Sequence, residues 1–305
     1  MGVINMDAKI ETLLAVVEKN NFTRAAESLH LTQPAVSHHI GSLEREFGVN
    51  IFIRGKGSLK LTPEGEIVVQ YAKRIKALYG KAKQVLDDEK KHMKRITIGI
   101  TRTSESSMVA ETLAQYGQDT PGIIITILSN TINNLYDMLT NYDIDLAIVE
   151  GRINDPQMNS ILLDTDYLVC VISPNSPLAA KSMVTLNDIK KEKMILRLPN
   201  SGTRNLFISH LESIHMSIDE LNIILEVDNI ATIKDLIRKD IGISILARSA
   251  CFDELKDGKL IALPIENLSM IREVNVLYRK DFSHADVLQG ITRIYREMAK
   301  LYGAS

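Results

Sequence analysis

Apolar positions near the start of the chain recur with helical spacing. Ile10, Leu13, Leu14 and Val17 fall at i, i+3, i+4 and i+7, which predicts an amphipathic helix that Asn20-Asn21 ends. Thr23 is placed to cap a short second helix, RAAESLH, whose Ala25 and Ala26 allow close helix packing. Leu31 is the turn. Thr32 caps a third helix, QPAVSHHIGSLEREFG, in which Pro34 is tolerated because first-turn N–H groups have no helical acceptor. Its buried stripe is expected to be Val36, Ile40, Leu43 and Phe47, with Gly48 as the stop. Two short helices about a tight turn make a helix-turn-helix. IFIRGKGSLKLTPEG then reads as strand, Gly-Lys-Gly turn and strand, a hairpin wing with Arg54 and Lys56 at its tip.

From Thr62 to about His92 the pattern is one long helix. Ile67, Tyr71, Ile75, Leu78, Ala82 and Val85 recur at spacings of four, four, three, four and three. That average suits a coiled-coil seam better than a helix lying on one core. The long helix is therefore expected to pair two copies of the chain, the alternative being a helix buried alone. KKHMKR (90–95) is a polar hinge.

Beyond it, short apolar runs alternate with helical patterns: RITIGI, SMVAETLAQYG, IIITIL, NNLYDMLTN and IDLAIVE, and later DYLVCVIS, KMILRL, NIILEVD, IATIKDLIRK and GISILA. This rhythm predicts parallel sheets flanked by helices, in two lobes. EVNVLYRK and a helix from His284 return the chain to the first lobe. The expected division is residues 1–63, 64–93 and 94–305, with lobe I at about 94–163 and 268–305 and lobe II at about 164–267. The fold class is α/β: a winged helix-turn-helix and a dimerisation helix, followed by a two-lobed α/β domain.

Charge sharpens this division. Residues 1–95 carry 16 Lys/Arg against 11 Asp/Glu, whereas the remainder carries 20 against 27. A basic first third suits a polyanionic partner, and the acidic remainder does not. Cys170 and Cys251 lie far apart in apolar surroundings and read as buried free thiols. The chain has no run of the ~18 apolar residues that a membrane span needs and starts with nothing like a signal peptide. A reduced cytoplasmic protein without membrane contact is expected.

The run NNFTRAAESLHLTQPAVSHHIGSLEREFGVNIFIR, followed by LTPEG, resembles the DNA-binding domain of LysR-type transcriptional regulators, a match of about sixty residues. YDIDLAIVEG and IRKDIGISILARSACFDEL extend the resemblance over nearly the whole chain. It implies a double-stranded DNA operator, a homodimer that pairs into a tetramer, a small-molecule effector held in a periplasmic-binding-protein-like domain, and contact with RNA polymerase as an option. On the recognition helix, Gln33, Pro34, Ser37 and His38 are expected at base edges or the adjacent backbone. Thr32, Arg54 and Lys56 are expected on phosphates. Two positions depart from the family pattern: Gly41 and Gly57 stand where basic residues are usual, so phosphate contacts are fewer or differently placed. Met6-Asp7 aligns with the usual start, leaving residues 1–5 as an extension or a misassigned start.

In parallel α/β lobes, ligands bind beyond the carboxyl ends of strands, where helix N-termini offer free N–H groups. TRTSESS (101–107), SNT (129–131), EG (150–151), LPNSGTR (198–204) and VDNIAT (227–232) occupy such positions. Ser201, Gly202, Thr203 and Arg204 are the sharpest candidates: two hydroxyls about a glycine, and a guanidinium fork for a carboxylate or phosphate. They resemble the SGTR element of a subset of the family, and an anionic effector is expected. The other reading is that Ser201 and Thr203 cap a helix while Arg204 pairs with an internal acid. Thr101, Thr103, Ser104 and Ser129 come next. Glu150 either meets a ligand amine or is solvated.

Enzymatic chemistry finds no foothold. The chain contains no P-loop, dinucleotide glycine fingerprint or GxSxG. The adjacent His38 and His39 face different sides of a helix and make poor joint metal ligands. No cofactor is called for. An architectural DNA-binding protein would leave two hundred residues of α/β lobes unused, and a secreted solute-binding protein would lack the basic first third.

Overall fold

The computed structural model describes residues 7–53, 59–102, 104, 108–151, 153, 155–199 and 201–301. The chain divides into two compact units, residues 1–94 with 140–143, and residues 95–139 with 144–305.

The first unit holds helices α1 (Ala8–Lys19), α2 (Phe22–Ser28), α3 (Gln33–Phe47) and α4 (Pro63–Lys90). Three of them meet over one small core: Leu13 and Val16 from α1, Ala25 and Ala26 from α2, and Val36, Ile40 and Leu43 from α3, with Ile51, Phe52, Val69 and Ala72 closing it. The alanines keep α2 close to its neighbours, since a larger side chain would hold the backbones apart. Phe47, expected in the buried stripe, is 55% exposed. The last turn of α3 outruns this core before Gly48, at φ 67°, turns the chain away.

The second unit begins with β1 (Lys94–Thr101), α5 (Met108–Asp119), β2 (Ile123–Asn130), α6 (Ile132–Thr140), β3 (Leu146–Glu150) and β4 (Met158–Ile172). It continues through α7 (Leu186–Ile189), β5 (Met194–Arg197), α8 (Gly202–Ser213), β6 (Ile223–Val227), α9 (Ile230–Arg238), β7 (Ser244–Ala247) and α10 (Phe252–Lys256). Then come β8 (Ile261–Leu263), β9 (Ile271–Arg279) and α11 (Ala285–Leu301). The strand order β2-β1-β3-β9-β4-β7 crosses from one lobe into the other, with β8 also on β4. In the first lobe β1 runs parallel to β3, pairing Gly99 with Ala147. β9 lies antiparallel to β3.

Two strands form the crossing. β4 pairs antiparallel with β9 from Met158↔Arg279 to Tyr167↔Ile271, with a bulge between Leu162 and Asp164. β4 then continues into the second lobe, pairing Leu168–Val171 with β7 and Cys170–Ile172 with β8. Its first eight residues, from Met158, precede the strand expected from Asp166. Only Met158 and Leu163 among them are buried, so the continuous buried apolar run that marks the second half is missing. β5 and β6 run parallel, and a bridge from Met194 to Ile243 brings β5 beside β7.

Each lobe has its own core. Ile96, Ile98, Ile100, Leu113, Leu146, Ile148, Val276 and Ile291 lie in the first, and Val169, Val171, Ile195, Phe207, Leu211, Ile233 and Ile245 in the second. Strands buried on both faces explain why their sequences read as unbroken apolar runs. Cys170 and Cys251 are free and buried, and burial pushes each thiol up to about 12. Among the described residues, no helix is long and apolar enough to cross a membrane.

Candidate functional sites

The helix-turn-helix is built from caps. Asn20 ends α1 at φ 48°. Asn21, not Thr23, caps α2, its Oδ1 accepting the Arg24 N–H at 3.0 Å. His30 takes φ 55°, the Leu31 N–H returns to the Ala26 carbonyl at 2.9 Å, and Thr32 Oγ1 accepts the Ala35 N–H at 3.4 Å to start α3. Thr32, Gln33, Pro34, Ser37 and His38 are all exposed. Gln33 Nε2 donates to Ser37 Oγ at 2.9 Å, which holds the amide against the helix. His39 turns the other way, its Nδ1 2.8 Å from Thr12 Oγ1 on α1. The adjacent histidines thus have separate tasks.

A carboxylate fastens the next segment to α3. Glu44 Oε1 accepts the Ile51 N–H at 2.8 Å. Phe52 bridges antiparallel to Leu61, and the Ile53 N–H donates to the Lys60 carbonyl at 2.9 Å. This is the base of the expected wing. Arg54 and Lys56 lie outside the described residues, and Lys60 is exposed. Nothing stands within 4 Å of a Cβ built on Gly41, so the departure there is not forced by packing. On α4, Val69 and Ala72 face the core, while Ile67, Tyr71, Ile75, Leu78, Ala82 and Val85 are exposed. The seam is therefore a second apolar face on the same helix.

In the second unit, the candidate residues gather at the strand ends. Thr101 ends β1 and Glu150 ends β3. Thr101 Oγ1 donates to Glu150 Oε2, and Ser104 Oγ donates to Oε1 at 2.9 Å. The two hydroxyls are 3.0 Å apart, and both residues are buried. Arg272 on β9 lies between carboxylates: its Nη2 donates to Asp166 Oδ2 at 2.9 Å, and its Nη1 is 3.5 Å from Glu150 Oε1. Asp166 also accepts the Ser249 hydroxyl at 2.8 Å. Ser129 is exposed at the end of β2, and Thr103 lies outside the described residues.

Across the cleft, Arg102 Nη1 meets Asp228 Oδ2 at 2.6 Å, so the loops after β1 and β6 touch. Asp228 Oδ1 also lies 3.5 Å from Arg197 Nη2 at the end of β5. Ser201 precedes α8 without capping it, and its buried Oγ has no hydrogen-bond partner. The contrast with α1, α2, α3, α4 and α9, whose N-caps all accept a side-chain bond, marks this helix start as open. Gly202 has no atom within 4 Å of a built Cβ, and Thr203 is 2% exposed. Arg204 is engaged internally: its Nη1 donates to the Arg197 carbonyl at 3.0 Å and to Glu226 Oε1 at 2.5 Å. It fixes the start of α8 rather than pointing a bare guanidinium at a ligand. Sequence reasoning passed over Arg102, Arg197 and Arg272, whose partners are distant along the chain.

The family described as bacterial regulatory helix-turn-helix protein, lysR family, matches residues 8–66, and the LysR substrate binding domain matches residues 90–299. The chain belongs to the LysR family of transcriptional regulators. It is a DNA-binding regulator with an effector-binding domain, not an enzyme. Among relatives of this LysR-type protein, the HTH-type transcriptional regulator CysL of Bacillus subtilis is 27% identical over 271 residues, covering 88% of this chain and 89% of that one. A probable RuBisCO transcriptional regulator of Phaeodactylum tricornutum is 27% identical over 273 residues, with 88% and 89% covered. Full-length CbnR, solved in complex with its target DNA, shares the fold at TM-score 0.67 and 17% identity, covering 95% of this chain and 98% of that one. Among the described residues, no group of three His, Cys, Asp or Glu side chains could hold a metal ion.

Proposed function

We propose that this LysR-type regulator acts as a cytoplasmic homodimer, pairing into a tetramer, whose operator affinity answers to a small anionic metabolite. Residues 1–63 bind DNA, 64–93 pair two copies, and 94–305 hold the effector between lobes at about 94–163 with 268–305 and 164–267. Gln33, Pro34, Ser37 and His38 meet base edges or the neighbouring backbone; Thr32, Arg54 and Lys56 take phosphates. Effector binding shifts the packing of the lobes, and with it the spacing of the DNA-binding pairs and contact with RNA polymerase.

One observation carries the anionic effector: α8 starts uncapped beside a buried Ser201 hydroxyl without a partner. The first-turn N–H groups of a helix carry partial positive charge and lack intrahelical acceptors. An anion seated on Ser201, Gly202 and Thr203 satisfies them, with Thr101, Thr103, Ser104 and Ser129 closing the site from the other lobe and Arg204 steadying it. A thermal-shift screen with sulfate, phosphate, organic acids, sugar phosphates and acetylated amino acids tests this. A ligand at a hundred times its Kd stabilises by about 2.7 kcal/mol. We expect a selective shift that Thr203→Val removes while operator binding persists. No shift from any anion would defeat the proposal.

Base reading has its own test. Gln33→Ala is expected to weaken operator binding by roughly 1–3 kcal/mol and leave random DNA almost unaffected. Equal losses on both sequences, measured by fluorescence anisotropy at fixed salt, would remove Gln33 from base readout.

A further inference from the structure

A groove beside the recognition helix holds an arginine that no other described residue engages. We infer that this groove takes a phosphate of the DNA backbone, with Arg45 as its anchor; the inference rests on the reading that the first turns of α3 enter the major groove.

Helical geometry places Arg45. Seven residues at 100° each bring it within about 20° of His38 around the helix and roughly 10 Å further along it. Gly41 lies between them on the same side. A helical side chain leans toward the N-terminus of its helix and covers the turn before its own Cα. Arg45 therefore leans over Gly41, where no atom stands within 4 Å of a built Cβ. His38, Gly41 and Arg45 line one wall of a groove of about 530 Å³, with Gly48, Val49 and Asn50 as the other.

Charge decides the occupant. Arg45 is exposed, and among the described residues its guanidinium has no hydrogen bond or ion pair. Its helical neighbours at i−4, i−3 and i+3 are Gly41, Ser42 and Gly48, so no carboxylate stands where a pair within the helix would form. The two acids beside it in sequence are committed elsewhere. Glu44, which also lines the groove, turns Oε1 to the Ile51 N–H at 2.8 Å, and Glu46 Oε2 lies 2.7 Å from Lys9 Nζ. Arg204 and Arg272, by contrast, each meet an internal carboxylate. A guanidinium with no internal acceptor suits a phosphate, which it can grip through two parallel N–H bonds.

The groove is built to keep its shape. The Val49 N–H donates to the Glu44 carbonyl at 3.1 Å, and the Asn50 carbonyl accepts the Thr62 hydroxyl at 2.5 Å. Its position suits the DNA strand as well. A major groove is about 12 Å wide. A helix that seats residues 33–38 on base edges reaches the bordering sugar-phosphate strand within its next turns, which is where Arg45 lies.

The test uses the full-length protein and a DNA fragment that it selects from a random-sequence pool. Arg45→Gln is expected to weaken binding of that fragment and of unrelated DNA by the same factor, about three- to tenfold, and to lower the salt slope by about 0.9 for each copy of the chain on the DNA. A scan replacing one phosphate at a time by a neutral methylphosphonate should find a position that weakens the native protein and leaves Arg45→Gln unchanged. Gly41→Arg, for which the helix has room, should return the lost slope in the Arg45→Gln background. An unchanged slope with Arg45→Gln, or equal methylphosphonate losses for both proteins, would overturn the assignment. So would a loss confined to the selected fragment, which would make Arg45 a base reader. Gln33→Ala, measured alongside, reports separately on whether the first turns of α3 read bases.

Discussion

Gly65→Ala is expected to unfold the winged-helix unit at temperatures the native protein survives. Gly65 is the third residue of α4, and its N–H donates to the capping Thr62 Oγ1 at 2.8 Å. A Cβ built there falls far inside van der Waals contact of the Ile51 carbonyl oxygen, 2.9 Å from the carbonyl carbon and 3.0 Å from Ile51 Cα. The obstacle is backbone and cannot swing aside. The Ile51 carbonyl accepts the Thr62 N–H at 3.0 Å, Thr62 Oγ1 is 2.5 Å from the Asn50 carbonyl, and the Ile51 side chain is fully buried. Overpacking costs typically 1–3 kcal/mol when side chains can adjust, so about 3 kcal/mol is expected here. For a unit of this size that lowers the melting temperature by on the order of 10–20 °C. Gly80, in the same helix with nothing within 4 Å of a built Cβ, is the control: Gly80→Ala should stabilise by roughly 0.5–1 kcal/mol through helix propensity alone. Circular dichroism melting with operator titration checks both. A Gly65→Ala protein that melts with the native one would refute the packing argument.

What could be read from the sequence depended on how local its cause was. The three N-terminal helices, the Thr32 cap and the Gly48 stop follow from neighbours within four residues, and the structure has them. The exchange of Thr23 for Asn21 shows the limit. Asn20-Asn21 reads as one helix ending, yet Asn20 closes α1 in the left-handed region while Asn21 opens α2. Two candidate caps two residues apart are separated only by where the backbone turns. The first half of β4 is illegible because a stretch with only Met158 and Leu163 buried lacks the apolar run of its second half. Ionic contacts were least legible. Arg272 reaches Asp166 across 106 residues, and Arg102 reaches Asp228 across 126. Composition supplies the charges, but only topology pairs them. Arg204 illustrates the same point: the sequence offers a guanidinium beside two hydroxyls, and β6 supplies Glu226 to occupy it.

The seam on α4 carries the second large effect. Ile67, Tyr71, Ile75, Leu78 and Val85 are each 44–57% exposed, a continuous apolar row along a 28-residue helix. Exposed apolar rows of this kind mark association surfaces, and the three-four spacing is that of a helix pair. Leu78→Glu would place two carboxylates, one from each copy, in the apolar row along which such a pair meets. Desolvation and like-charge repulsion together are expected to raise the dimer dissociation constant by a factor on the order of a hundred or more. A separated monomer engages one half-site, forfeiting the gain of roughly 10²–10⁴ that linking two binding modules provides. Operator affinity should therefore fall at least about a hundredfold, and the salt slope should shrink toward half because only one set of phosphates is neutralised. Lys76→Gln, about 200° around the helix from Leu78 at 100° per residue and exposed, should leave the assembly intact. Sedimentation velocity reads the assembly, and anisotropy titration over a range of salt reads the slope. A Leu78→Glu protein that sediments as the native assembly and holds its operator equally well would show that this row pairs with nothing. The exposed stripe would then need a different occupant, and the two-copy reading of residues 64–93 would fall with it.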